Sequence, residues 1–268
     1  MITAVVSKKG GVGKTTSAVS LAAAFAGAGR RVLLVDLDSQ ASASLSLGVP
    51  RERLAPSIAD VLLWGTPLRE TVRPTSTPLL DVVTASADLA SAEIELGSFR
   101  DREGHLARAL GHVAGDYDHV VLDGPPSLPL LAINALAAAD AFLVPTTPHF
   151  LSIAGVDSLL YAAERIRANH NRKLTLAGIL LTMVDYRSKE TRKNVDLMRR
   201  TYGRDVFGIE VRVNVRLAEA PAAAQTIFQY DPAATGAESY RLATEEFLLR
   251  TARLRRRPLE TAAALPPG

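Results

Sequence analysis

The most constraining stretch of the chain is Lys8-Lys9-Gly10-Gly11-Val12-Gly13-Lys14-Thr15-Thr16, set between a short apolar run, residues 2–6, and an Ala-rich one, residues 18–28. That arrangement predicts a strand, a loop and a helix. Backbone N–H groups can wrap a phosphate chain only where no side chain blocks the approach, which makes Gly10, Gly11 and Gly13 the permissive positions. The helix that follows points its positive end at the anion. Lys14 adds a point charge for the outer phosphates, Thr15 a hydroxyl for Mg²⁺, and Thr16 a second hydroxyl beside the inner phosphates. The expected ligand is a nucleoside triphosphate. One departure matters: the usual pattern G-x-x-x-x-G-K-S/T has glycine five residues before Gly13, where this chain has Lys8.

The variant K-G-G-V-G-K-T, from Lys9 to Thr15, resembles the signature of the deviant Walker A ATPases. That class includes ParA/Soj partition proteins, MinD, the nitrogenase iron protein and several ligases. The resemblance implies ATP and Mg²⁺ as ligands and leaves the branch to be decided.

Composition narrows the choice. The chain has 268 residues, 47% of them apolar, enough for a sizeable core in one or two domains. It contains no cysteine, which removes disulfides, thiolate metal sites and cysteine nucleophiles. Branches of the class that hold an iron–sulfur cluster through cysteines are thereby excluded. Lys and Arg number 31 against 28 Asp and Glu, so the formal charge is only +3 and placement says more than the sum. No window of eighteen residues is apolar and free of charge, and the first strand starts at Ile2. Neither a membrane span nor a signal peptide is expected, and the protein reads as cytoplasmic.

Residues 14–28 carry almost no polar side chain after Ser20, the pattern of a helix buried against a sheet, and Gly27 and Gly29 are placed to end it. Arg31 to Asp36 is a short apolar run closed by an acid, as in a strand buried on both faces. The form recurs at 118–123, 141–145 and 174–182, with helical patterns at 57–64, 89–113, 128–138, 151–169 and 188–202. Residues 65–80, with Pro67, Pro74 and Pro78, read as a loop. This alternation predicts an α/β fold with a doubly wound, mostly parallel sheet and helices on both faces. The resemblance makes it a P-loop NTPase, with a single ATPase domain over 1–257 and a disordered, Pro- and Ala-rich tail over 258–268.

In such sheets ligands sit beyond the carboxyl ends of the strands, where Asp36, Asp38 and Asp123 fall. Asp123 closes Val120-Val121-Leu122 and precedes Gly124-Pro125-Pro126, and an acid there can hold Mg²⁺ through its water shell. This D-x-P-P resembles the family's Walker B and second switch segment. Val35-Asp36-Leu37-Asp38-Ser39-Gln40 resembles its first switch, V-D-x-D-x-Q, whose second acid, here Asp38, orients the attacking water. Just after it, Ala41-Ser42 stands where Gly-Asn is common. For Lys9 the resemblance implies a reach across a two-fold interface to the partner's nucleotide. Two subunits would then sandwich ATP, and assembly would follow nucleotide state.

The carboxyl-terminal third selects a branch. Asn214-Val215-Arg216-Leu217-Ala218-Glu219-Ala220-Pro221, then Tyr230-Asp231-Pro232 and Gly236-Ala237, are similar to the N-V-R-L-x-E-A-P and Y-D-P…G-A segments of chromosomal ParA/Soj proteins, as is Ile179-Leu180-Leu181-Thr182-Met183. The resemblance implies a DNA-segregation ATPase that binds nonspecific DNA as an ATP-bound homodimer. Its slow hydrolysis is stimulated by a ParB-like centromere-binding protein, and the ATPase is associated with the nucleoid. The family's adenine-contacting segment reads P-R-N; here it is Arg212-Val213-Asn214, so Asn214 matches and Arg212 replaces proline.

Between Arg187 and Arg204 there are seven Lys or Arg against two acids, Glu190 and Asp196. A basic face binds phosphates in a sequence-blind, salt-sensitive way, although a solvated helix face has the same composition. Arg187 and Arg216 match family positions linked to DNA contact, with Lys189, Arg192 and Lys193 as helpers. The first strand begins the chain, so an amino-terminal helix-turn-helix and operator-specific binding are not expected.

Two other readings stay open. A MinD-like protein would meet membrane through residues 238–257, with Phe247, Leu248, Leu249 and the basic end Arg253, Arg255, Arg256 and Arg257. A ligase of the dethiobiotin synthetase type would share the phosphate loop and bind a small substrate instead of DNA.

Overall fold

The apolar runs become the strands of one sheet in a computed structural model that describes residues 1–254. In chain order the elements are β1 (Ile2–Ser7), α1 (Lys14–Gly27), β2 (Val32–Asp36), α2 (Ser42–Ser46), α3 (Ile58–Trp64), β3 (Val72–Pro74), β4 (Leu80–Val83), α4 (Leu89–Leu96), α5 (His105–Gly111) and β5 (His119–Pro126). They continue with α6 (Leu130–Ala138), β6 (Ala141–Thr146), α7 (Phe150–Asn169), β7 (Thr175–Leu181), α8 (Lys189–Tyr202), α9 (Val215–Glu219), α10 (Ile227–Tyr230) and α11 (Thr235–Leu254).

The strand order is β3-β4-β2-β5-β1-β6-β7, and every pair is parallel except β3 with β4. Because β5 lies between β1 and β2, the loops that follow these three strands open at one place on the carboxyl edge, the position where such sheets bind ligands. Register completes the arrangement by pairing Asp36 with Asp123. All five residues of β2 are buried, as a parallel strand covered on both faces requires.

Two expectations are corrected. Residues 65–80 are not simply a loop: a short 3-10 turn, Leu68–Thr71, leads into β3, and β4 follows at Leu80. The prolines hid these strands, but Pro74 is tolerated because β3 is an edge strand whose far side needs no N–H donor. The helix over 89–113 is two helices, α4 and α5, separated at Gly97 and restarted at Gly104, with Asp101 between them at φ 54°. Glycines at both ends and a left-handed residue in the middle break the helical path.

α1 buries Ala18, Val19, Leu21, Ala22 and Phe25. The Phe25 ring stacks on His119 at 4.0 Å and meets Phe247 of α11 edge-on at 5.8 Å, while Ser17 Oγ and Tyr240 Oη share a hydrogen bond of 2.9 Å. Burial of a phenylalanine is worth about 1.5–3 kcal/mol, so α11 is docked through Phe247. Of the residues expected to meet a membrane, Leu248 and Leu249 are exposed; the Arg253 side chain, Arg255, Arg256 and Arg257 lie outside the described residues, as does the tail. No helix among the described residues is long and apolar enough to cross a membrane.

Candidate functional site

The loop between β1 and α1 depends on its glycines. Gly11 and Gly13 sit at φ 71° and 75°, left-handed backbone that side chains disfavour. Thr182, just beyond β7, holds the loop from behind: its Oγ1 donates to the Val12 carbonyl at 2.7 Å and to the Thr146 carbonyl at 3.1 Å. Val12 is buried and anchors the turn, whereas Gly10 is exposed. No side chain caps α1, so its first-turn N–H groups are free for an anion.

Lys14 Nζ is the electrostatic centre of this corner. It donates to Asp123 Oδ1 at 2.8 Å and to Thr15 Oγ1 at 3.3 Å, and lies 3.8 Å from Asp38 Oδ2. The structure therefore brings together Lys14, Thr15, Asp38 and Asp123, which are far apart in sequence. Thr16 is half-buried in the same helical turn. Asp123 Oδ2 is buried without a hydrogen-bond partner. An orphaned acceptor of that kind is costly unless a cation or its bound water satisfies it. With the Thr15 hydroxyl alongside, it forms the oxygen-only donor set, poor in carboxylates, that suits Mg²⁺.

The two acids of D-x-D do different work. Asp36 is wholly buried and accepts from Ser44 N at 2.9 Å, Ser44 Oγ at 2.7 Å and Asp38 N at 3.1 Å. Burial, and then the charge of Asp123, push its carboxyl up to about 7 against the pull of Ser44. Burial also raises Asp123, and Lys14 opposes the rise. Asp38 is only partly buried, and its Oδ1 accepts from Gln40 N at 3.0 Å. Asp36 is thus an internal anchor, and Asp38 is the acid free to act. The sequence puts Asp36 at a strand end and in the first switch segment, and Thr182 in a segment similar to partition proteins, but assigns neither the contact it makes here and does not single out Ser44. The acid-x-acid spacing was the available signal for Asp36, because a strand end that turns sharply needs an acceptor for the next N–H.

The two front lysines separate clearly. Lys8 Nζ donates to Ser158 Oγ on α7 at 2.7 Å, while Lys9 is exposed and has no hydrogen-bond or ion-pair partner among the described residues. Farther along the same edge, residues 211–213 run beside the end of β7, through Val184 N to Val211 O at 3.1 Å and Val213 N to Val184 O at 3.3 Å. Asn214 Nδ2 donates to Thr235 Oγ1 at 2.7 Å, and its Oδ1 is buried without a partner. Arg212 is exposed.

The expected DNA-contact residues lie just before α8, in its first turns and on α9. Arg187 is 86% exposed and chelated by Asp185, with Nη2 2.6 Å from Oδ2; those hydrogen bonds hold the Asp185 carboxyl down to about 2. Lys189, Arg192 and Lys193 are exposed, with Lys193 3.9 Å from Glu190. Arg216 on α9 bridges Glu219 at 2.8 Å and Asp231 at 3.4 Å.

Known proteins resemble the chain over most of its length. The family described as AAA domain matches residues 1–176. The chain is 40% identical to the chromosome partitioning protein ParA of Myxococcus xanthus, over 91% of this chain and 86% of that protein. It is 42% identical to the chromosome-partitioning ATPase Soj of Thermus thermophilus, over 92% and 95% respectively. Among solved structures, cobyrinic acid a,c-diamide synthase of Mycobacterium smegmatis with bound ADP and magnesium superimposes with a TM-score of 0.82 at 32% identity, covering 97% of this chain and 99% of that one. The fold is that of a P-loop NTPase.

Proposed function

Because the chain belongs to the ParA/Soj family of chromosome-partitioning ATPases, we propose that it is an ATP-dependent DNA-segregation ATPase. The observation that carries the reading is the convergence of Lys14, Asp38 and Asp123 on the glycine loop. The loop N–H groups and Lys14 take the phosphates of ATP, and Thr15 and Asp123 hold Mg²⁺, which neutralises phosphate charge when bound. The M. smegmatis relative binds ADP and magnesium. Asp38 orients the attacking water, with its own backbone N–H tied to Asp36. Asn214 Oδ1, an acceptor in need of a donor, receives the exocyclic amine of adenine.

Lys9, without a partner on its own chain among the described residues, reaches the nucleotide of a second subunit in a homodimer. In that dimer Arg187, Lys189, Arg192, Lys193 and Arg216 take up nonspecific DNA, and a ParB-like centromere-bound protein accelerates slow turnover. The protein then works in the cytoplasm, on the nucleoid.

ATP turnover with and without nonspecific DNA tests the reading. Slow hydrolysis raised by DNA is expected; turnover indifferent to DNA would contradict it. Likeness to the M. smegmatis synthase favours a second reading, a small-molecule synthase or ligase, whose turnover would answer to a small substrate alone. Leu248 and Leu249, exposed on α11, keep the membrane-positioning alternative testable by lipid flotation with ATP.

A further inference from the structure

We propose that Tyr186 holds Arg192 and Arg212 together as a phosphate clamp for duplex DNA, so that Arg212 serves the DNA face and not the adenine site. The inference rests on the DNA-binding reading above and extends it to two residues, Tyr186 and Arg212, that the sequence did not assign to DNA.

The clamp is built from separate parts of the chain. The guanidinium carbon of Arg192, on α8, lies 5.6 Å from the centroid of the Tyr186 ring, and that of Arg212, on the strand-like segment beside β7, lies 5.4 Å from the same centroid. Both distances fall within the range in which a ring face attracts a cation. The ring is itself fixed. Its hydroxyl donates to Glu210 Oε2 at 2.6 Å, and Glu210 Oε1 accepts from Arg199 Nη2 at 2.6 Å. Burial and the Glu210 carboxylate push the phenol up to about 12, so the hydroxyl remains a donor.

Contact with the ring, together with the lack of a carboxylate partner, sets these two arginines apart; Lys189, Arg200 and Arg204 also have no ion pair among the described residues but do not lie over the ring. Arg187, Lys193, Arg199 and Arg216 each have a carboxylate within ion-pair distance: Asp185, Glu190, Glu210 and Glu219 respectively. Neither Arg192 nor Arg212 has an ion-pair partner among the described residues. Two exposed guanidinium groups, held near one ring and not neutralised, suit recognition of phosphate oxygens. Their planar forks are presented with less entropy to lose, and no carboxylate must be displaced first. An arginine standing where the resembled segment has proline adds a charge and donors at a position that would otherwise have neither a charge nor an N–H.

The test measures duplex DNA binding by fluorescence anisotropy with saturating ATP, between about 50 and 200 mM salt, for the wild-type chain, Arg192→Ala, Arg212→Ala and Arg212→Lys. ATP affinity is measured in parallel by calorimetry. Each alanine variant is expected to weaken DNA binding several-fold and to lower the log–log salt slope by about one for each phosphate that a subunit no longer neutralises, with ATP affinity unchanged. Arg212→Lys, which keeps the charge, should retain most of the slope. Wild-type DNA affinity in Arg212→Ala, or a loss of ATP affinity in that variant, would overturn the clamp alone. Absence of DNA binding by the wild-type chain would overturn the clamp together with the reading on which it rests.

Discussion

The nucleotide corner and the basic corner share the carboxyl edge of the sheet but handle charge in opposite ways. In the first, Lys14 and Asp123 pair at 2.8 Å with side-chain exposures of 9% and 0%. In the second, Arg187 and Asp185 pair at 2.6 Å with exposures of 86% and 34%. The two pairs look alike on distance, yet burial separates their consequences. A buried pair cannot lose one member without leaving the other uncompensated, whereas an exposed pair exchanges readily with water, salt or a phosphate. The first corner is built to hold a geometry, and the second to supply charge that can be redirected.

The largest effect is expected at Lys14. Lys14→Ala is expected to abolish ATP binding, because the phosphates lose the buried cation of this corner. The loop itself is also held by contacts that do not involve Lys14, among them the Thr182 hydroxyl on the Val12 carbonyl, so circular dichroism should show the variant folded. Tight ATP binding by that variant in calorimetry would remove the loop assignment. Next in size, Asp38→Ala should keep ATP and lose roughly 10²–10⁴-fold in turnover, the usual worth of a positioned acid or base. Wild-type rates in steady-state assays would refute the role of Asp38.

The two corners also differ in how the sequence encodes them. The nucleotide corner is written as backbone geometry: glycines at positive φ and acids at strand ends have few alternative uses, so Lys9 to Thr16, Asp38 and Asp123 could be named from spacing and resemblance. The anchoring role of Asp36 was less visible. It depends on Ser44 folding back from α2 and on Asp123 lying opposite in register, both of them tertiary facts. At the basic corner the sequence showed only composition. The pairs of Arg187 with Asp185 and of Arg216 with Glu219 are local in sequence, but the meeting of Arg212 with the Tyr186 ring is a tertiary fact that no periodicity encodes. In the fold, the parallel strands were readable as continuous apolar runs. β3 and β4 were not, because prolines acceptable at a sheet edge resemble those of a loop.

Smaller effects sharpen the contrast. Arg187→Glu with Arg216→Glu should weaken DNA binding by roughly a hundredfold or more near physiological salt without disturbing dimerisation, as gel shifts and light scattering would report. Unchanged shifts would remove that surface from the DNA face. Smallest is the stability difference. A methyl on Gly124 would stand 3.0 Å from Val6 Cγ1 and 3.2 Å from Val5 O, so Gly124→Ala should cost about 1–3 kcal/mol in urea unfolding. Lys189→Ala, exposed on α8, should leave the midpoint where it is. Equal tolerance at both sites would erase the distinction between the corners.

The buried corner's control over the exposed one is what would couple ATP to DNA. Its most direct test is duplex DNA binding by Asp38→Ala, which should hold ATP without consuming it, measured with ATP, with ADP and without nucleotide. Binding with ATP should be at least roughly tenfold tighter than in the other two conditions, a coupling of ordinary size for two linked sites. Equal affinity in all three would contradict it.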